Sequence, residues 1–352
     1  MINNQFHITC NEEGKRLDIF LSEKLSITRT KIKDVIEGGF VYIDGKIPKP
    51  SMKTRIPMEI YGEIPAEEPL TLEAQPIPLE ILYEDEYFLA VNKPKNMVVH
   101  PSFGHKKGTL VNALLAYFGE KNKESLKSLI SNLEPVTQEN ANQGTQNSIF
   151  YDPQKAILRP GIVHRLDKGT TGVIIVAKNS KTQEMLSALF KKRSVKKTYR
   201  TIVEGIIDKK EGLIEGNIGR HRIDRKKMTV LEEGGRSAAT SFKVLKKLDS
   251  FTYIEAYPKT GRTHQIRVHF SHIGHPVAGD NVYGKRSRFV SDRPLLHAYR
   301  IQFIHPEKNI MIQIEAPLPD DMEEFITKSS LKTAAENCHS SIDLKIKKKS
   351  KL

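Results

Sequence analysis

Four prolines, Pro65, Pro69, Pro76 and Pro78, fall within 14 residues and constrain this chain more than any other feature. Each ring fixes φ and removes an amide donor, so neither a long helix nor a central strand is expected through Tyr61 to Pro78. The stretch reads as a linker, with a domain boundary between a short N-terminal region and a much longer remainder. A length of 352 residues fits two domains, at roughly 150 residues per domain.

Before the break, Leu17, Phe20, Leu21 and Leu25 fall at helical spacing, and Ile32, Val35 and Ile36 repeat the pattern after Thr28. Gly38-Gly39 stops the second helix. Phe40 to Ile43, followed by Asp44-Gly45, reads as a strand entering a tight turn. These elements predict a small helix-helix-hairpin domain over 14–62 and a linker over 63–78. Beyond it, strands at Ile81 to Tyr83, Tyr87 to Asn92, Val173 to Ala177, Thr198 to Val203, Ser241 to Val244, Thr252 to Ala256 and Ile310 to Ile314 alternate irregularly with a few helices. The expectation is an α+β domain over 79–326 built on a mixed, largely antiparallel sheet. The polar stretch 119–157 reads as a flexible insertion, and the lysine-rich residues 327–352 as a disordered basic tail.

Lys and Arg together number 56 against 42 Asp and Glu, a formal net charge of +14. That balance favours a polyanionic partner such as nucleic acid over an acidic small substrate. The two cysteines, Cys10 and Cys338, make neither a disulfide framework nor a cysteine-based zinc site. The longest apolar run, Ala113 to Phe118, falls far short of the roughly 18 residues needed to span a bilayer, and the N-terminus has no signal-peptide pattern. A cytoplasmic protein without membrane association is expected.

Three segments carry chemistry. Arg159 to Gly172 packs His164, Arg165, Asp167 and Lys168 into five positions just before the apolar strand Val173 to Ala177. A charged, glycine-rich loop held by a rigid strand is where catalytic groups are commonly placed, although a salt-bridged surface turn has the same composition. No Gly-x-x-x-x-Gly-Lys-Ser/Thr occurs, which excludes a Walker A loop. Tyr257 to His269 opens a helix after a strand. Ile266, Phe270 and Ile273 are spaced for its buried face, which leaves Arg262, His264, Gln265, Arg267 and His269 as polar candidates. The spacing of His264, His269, His272 and His275 fits no helical zinc signature, so no metal site is expected. Lys191 to Arg200 sets six cations around Tyr199, a composition suited to a phosphate backbone and an unstacked base, or to a solvated helix end.

Together and in this order, the His-Arg-Leu-Asp loop, the Lys-x-Tyr strand and the Gly-Arg-x-His-Gln-Ile-Arg helix resemble the RluA-type RNA pseudouridine synthases. Val91-Asn92-Lys93-Pro94, Val98-Val99-His100-Pro101, Gly279 to Gly284 and Leu295 to Ala298 extend the resemblance over roughly Leu79 to Ile326. Lys15 to Leu21, Thr28 to Ile32 and Val41 to Lys46 resemble the αL RNA-binding motif of a small-subunit ribosomal protein.

The resemblance implies an isomerase that detaches uracil from ribose, rotates it and rejoins it through carbon 5, without cofactor or metal. Asp167 matches the essential aspartate, Arg267 the arginine that pairs with it, and Tyr199 the tyrosine that packs against the target base. Ile266 would be an apolar pocket wall. His164 and Arg165 match loop residues that fill the gap left by a flipped-out nucleotide, with Arg165 the better suited because its planar guanidinium both stacks and hydrogen-bonds. Arg262 and His264 would contact the RNA backbone, and Arg29, Lys31 and Lys33 would position phosphates from the N-terminal domain. Position 169 is Gly where many relatives carry an acid or a small polar residue, an expected change in loop flexibility more than in chemistry. Large-subunit ribosomal RNA, free or in a precursor particle, is the expected substrate of a monomeric enzyme. Transfer RNA and a noncatalytic RNA-binding or ribosome-assembly role are the alternatives.

Overall fold

A computed structural model describes residues 5–65, 70–101, 107–121, 148–151, 161–224, 227–284, 289 and 291–330. Most of the polar stretch 119–157 and all of the tail beyond residue 330 lie outside the described residues; 327–330 belong to a helix over 320–330. The chain divides into two compact units, Met1–Pro69 and Leu70–Leu352.

The first unit contains β1 (Gln5–Thr9), α1 (Leu17–Lys24), α2 (Arg29–Glu37), β2 (Val41–Tyr42) and β3 (Glu59–Glu63), with sheet order β1-β3-β2. Leu17, Phe20, Leu21, Ile32, Val35 and Ile36 turn inward from the two helices and close one core with Val41 and Ile60. The turn after β2 has Asp44 and Gly45 both at positive φ (52° and 72°), as a two-residue hairpin turn requires. The partner of β2, however, is β3, 17 residues downstream of Tyr42, so the sheet closes through a long-range pairing. Asp18 is buried and accepts from Arg16 Nε and Nη2 (3.0 and 2.9 Å) and from Arg29 Nε and Nη2 (both 3.0 Å). One carboxylate thereby holds two largely exposed guanidinium groups at the start of the helical pair.

The second unit contains β4 (Leu70–Glu73), β5 (Glu80–Glu84), β6 (Phe88–Lys93), α3 (Leu110–Lys121), β7 (Ser148–Tyr151), β8 (Thr171–Ala177), α4 (Ser180–Lys191) and β9 (Lys196–Glu204). It continues with β10 (Glu211–Arg220), β11 (Met228–Leu231), β12 (Arg236–Lys247), β13 (Phe251–Pro258), α5 (Gln265–His272), β14 (Leu296–Ile304) and β15 (Met311–Glu315). Two of these elements correct the sequence reading: β4 lies inside the proline-rich span expected to lack regular structure, and it pairs with β7 inside the expected insertion. Leu70 to Glu73 lies between Pro69 and Pro76, so every residue of that strand keeps its amide.

Ten strands form one sheet in the order β11-β10-β12-β13-β9-β14-β8-β6-β5, with β15 added to β14. Every pairing is antiparallel except β14 with β8, which makes the sheet mixed and mainly antiparallel, as expected. β8 is buried along its whole length. Its alternate side chains feed two cores: Ile174 and Val176 pack with α3, while Val173, Ile175 and Ala177 pack with Leu186 of α4. A third core joins Ile266 and Phe270 of α5 to Phe242, Ile254 and Ala256. The loop before β8, the start of β9 and the start of α5 therefore all rest on buried, cross-braced elements.

Candidate active site

Asp167 opens a tight turn closed by the Thr170 amide donating to its carbonyl (3.0 Å). The turn is held from behind by two buried cations. Lys93 Nζ donates to the carbonyls of Lys168 (3.2 Å), Met97 and Pro94 (both 2.9 Å), and Arg293 Nη1 donates to that of Gly169 (3.3 Å). Burial lowers the Lys93 ammonium to about 7, against the opposing pull of Asp167. Gly169 lies directly under Pro294: a Cβ added there would sit 2.8 Å from Pro294 Cδ. Its small size therefore serves a close approach, which corrects the expectation that it mainly loosens the loop.

On the facing element, α5 begins after His264, whose backbone is left-handed (φ 55°). Arg267, one turn on, is 6% exposed and reaches back with Nη1 to Asp167 Oδ2 at 3.3 Å. Its Nε and Nη2 close a two-pronged pair on buried Asp280 at 2.7 and 2.9 Å. Burial opposes the Arg267 charge, but Asp280 and then Asp167 hold it above its ordinary value. Asp280 also accepts the amides of Val282 and Tyr283, which places it where that guanidinium needs it. His264 turns Nε2 toward Asp167 at 3.8 Å and is hydrogen-bonded through Nδ1 to the Tyr283 hydroxyl at 2.9 Å. Burial lowers the His264 pKa although Asp167 pulls it upward.

Asp167, Arg267 and His264 line a cavity of about 540 Å³ together with Tyr199, Ile266, Arg165 and His164. Its volume is that of a small-ligand pocket, sufficient for a nucleobase. Tyr199 is held protonated by burial and the nearby Asp167 charge, and Ile266 is 5% exposed. Arg165 is exposed with no hydrogen-bond or ion-pair partner among the described residues. His164 is different: its Nε2 accepts the Ile175 amide at 2.9 Å, its ring stacks on Phe190 at 4.6 Å, and burial holds its pKa near 3. The ring is tied into the sheet, so it is a brace for the loop and not an arm free to enter RNA.

The remaining candidates make bonds of their own, Gln265 and Arg262 at the cavity wall and the others away from it. Gln265 and His269 are buried and bonded to Thr240, and Ile273, expected on the buried face of α5, is 39% exposed because the helix ends at His272. Arg262 sits on the cavity wall with Nε donating to the Ser237 carbonyl. In the first unit, Arg29 is engaged by Asp18, Lys33 pairs with Glu37 at 3.4 Å, and Lys31 is half-buried on the same helix. Asp280, Tyr283 and Lys93 stand out in the sequence only as members of short motifs; their pairing with Arg267, His264 and the Asp167 turn depends on contacts between distant segments. Among the described residues no helix is long and apolar enough to cross a membrane.

A family profile described as RNA pseudouridylate synthase matches residues 87–272, and one described as S4 domain matches 15–59. An uncharacterized RNA pseudouridine synthase of Bacillus subtilis is 38% identical over 326 residues, covering 92% of this chain and 97% of that one. A ribosomal large subunit pseudouridine synthase D of Neisseria meningitidis is 36% identical over 337 residues, covering 92% and 81%. Among solved structures, human RNA Pseudouridylate Synthase Domain Containing 1 matches with a TM-score of 0.50 at 25% identity, over 69% of this chain and 85% of that one. The chain thus belongs to the RNA pseudouridine synthase family, an isomerase with an S4 domain in its N-terminal unit.

Proposed function

We propose that this protein converts specific uridines of large-subunit ribosomal RNA to pseudouridine, with Asp167 as the essential carboxylate acting on a base turned out of its stack. The observation that carries the reading is the Asp167 carboxylate paired with Arg267 at 3.3 Å at the wall of a nucleobase-sized cavity. A carboxylate suits the covalent or proton-transfer step, and a neighbouring guanidinium holds it in orientation. Tyr199 packs against the base and Ile266 closes the pocket. Arg165, with its guanidinium unengaged, takes the space the nucleotide leaves, and His164 supports the loop that carries it. Arg262 and His264 meet the RNA backbone at the rim.

The N-terminal unit adds phosphate contacts through Arg29, Lys31 and Lys33. The choice of ribosomal RNA rests on the name of the Neisseria relative, a ribosomal large subunit pseudouridine synthase, and on the excess positive charge of the chain. Carbodiimide treatment and primer extension of RNA from a deletion strain tests it. Stops lost from large-subunit RNA and regained on complementation support the reading; stops lost from transfer RNA alone overturn it.

A further inference from the structure

A lysine with no hydrogen-bond or ion-pair partner among the described residues also lines the cavity beside Asp167. Lys197 lies two residues before Tyr199 on β9, so both side chains project from the same face of the strand, and both line the cavity. Lys197 is half-buried, and among the described residues no carboxylate or carbonyl pairs with its ammonium. The loop at Gly261 approaches it: a Cβ added to Gly261 would lie 3.8 Å from Nζ. Burial lowers its pKa, and its charge in turn helps to depress that of His164. Other desolvated cations here have partners: Arg267 has Asp280, Arg293 has Asp321 and Lys93 has three carbonyls. A desolvated charge without a partner is a stability cost unless something else fills its place.

We propose that Lys197 is a catalytic residue whose ammonium stabilises the uracil ring as it leaves the ribose. When the bond from C1′ to N1 breaks, the electron pair stays with the ring and spreads onto its carbonyl oxygens. The positive character at C1′ faces the Asp167 carboxylate, and the negative character on the base faces Lys197. Lys197 donates a hydrogen bond and transfers no proton. The ring then turns, C5 forms its bond to C1′ and loses its proton, and N1 gains one, so the product is an isomer of the substrate. A fixed, partly desolvated cation is aimed at charge that develops only during the reaction, which is where such a group raises the rate most. This inference rests on the isomerase reading centred on Asp167.

The test is single-turnover kinetics of the full-length protein on 5-tritiated ribosomal RNA, with Lys197→Met, Lys197→Gln and Lys197→Arg beside wild type. The uncharged variants should slow tritium release by about 10²-fold while RNA affinity stays within about threefold, and Lys197→Arg should recover most of the loss. RNA carrying 5-fluorouridine supplies a more acidic leaving base, so formation of the rearranged 5-fluoro nucleoside should lose only about tenfold or less in the uncharged variants. Lys197→Met should unfold at the wild-type temperature or above it, since it removes a partly desolvated, unpaired charge at nearly equal volume. Affinity that falls in step with rate would make Lys197 a phosphate contact and overturn the proposal. So would an equal penalty on both bases, or a lowered unfolding temperature. Activity surviving in Asp167→Asn, run alongside, would instead remove Asp167 and the reading beneath.

Discussion

Arg267 and Asp280 form a buried two-pronged pair at 2.7 and 2.9 Å, and that pair leaves only Nη1 of the guanidinium to meet Asp167. Asp280 thus sets the direction from which the charge reaches the Asp167 loop. Replacing it with Asn keeps the shape and removes the charge. Asp280→Asn should cost about 2–4 kcal/mol of stability, since the guanidinium is left buried with its main partner neutralised. It should also lower kcat by about 10–10²-fold with little change in KM, because Arg267 is no longer aimed. Denaturant unfolding and steady-state tritium release measure the two effects; an unchanged kcat in a folded variant would remove the positioning role.

Gly169 supports a different prediction, drawn from space instead of charge. A methyl group there meets Pro294 Cδ at 2.8 Å and Arg293 Cβ at 3.3 Å. Gly169→Ala should cost about 1–3 kcal/mol and slow the reaction by displacing the turn that carries Asp167. Adding Pro294→Ala should return part of both losses, a coupling that a double-mutant cycle reads directly. Additive effects would mean that Pro294 is not what constrains position 169.

Three histidines make the fold sensitive to acid. Burial holds His164 near 3 and His269 and His297 near 4, below the ~6.5 of an unfolded chain. Between pH 6.5 and about 4 the unfolded chain binds protons that the native one refuses, so stability is full above 6.5 and falls as pH drops. Denaturant midpoints between pH 7 and 5 should show a loss of at least about 2 kcal/mol, flattened in His297→Gln. A flat profile in the wild type would contradict the buried, neutral state of these rings.

How much of this was legible in the sequence depends on the distance over which each feature acts. The helices of the first unit were readable because Leu17, Phe20, Leu21, Ile32, Val35 and Ile36 declare a face within one or two turns. So was the Asp44-Gly45 turn, whose chemistry is local. β10 was not: Gly212, Gly216 and Gly219 lie under Phe242, Val230 and Leu231, where a Cβ would come within 2.7 Å of each. A strand whose glycines admit its neighbours' side chains does not show a period-two pattern. β1 and β3 were missed because β1 exists only by pairing with β3, and β3 by pairing with β1 and β2. Asp167, Tyr199 and Arg267 could be named from motifs. The roles of Asp280 and Tyr283, which depend on a loop packing against α5, could not.

The N-terminal unit should contribute to RNA binding mainly through charge. Removing Met1 to Ile60 should weaken binding and reduce the dependence of log affinity on log salt by about 0.7 for each phosphate that is no longer neutralised. Filter binding from low to high salt measures it. A truncated protein with the same slope would take Arg29, Lys31 and Lys33 out of the interface.

Under the proposed function, uridine isomerisation in ribosomal RNA depends on Asp167. Tritium release from large-subunit RNA labelled at carbon 5 of uridine, comparing wild type with Asp167→Asn, tests that dependence most directly. The expected result is release by the wild type and none by the variant, with RNA affinity preserved in both. Release by Asp167→Asn at the wild-type rate would contradict it.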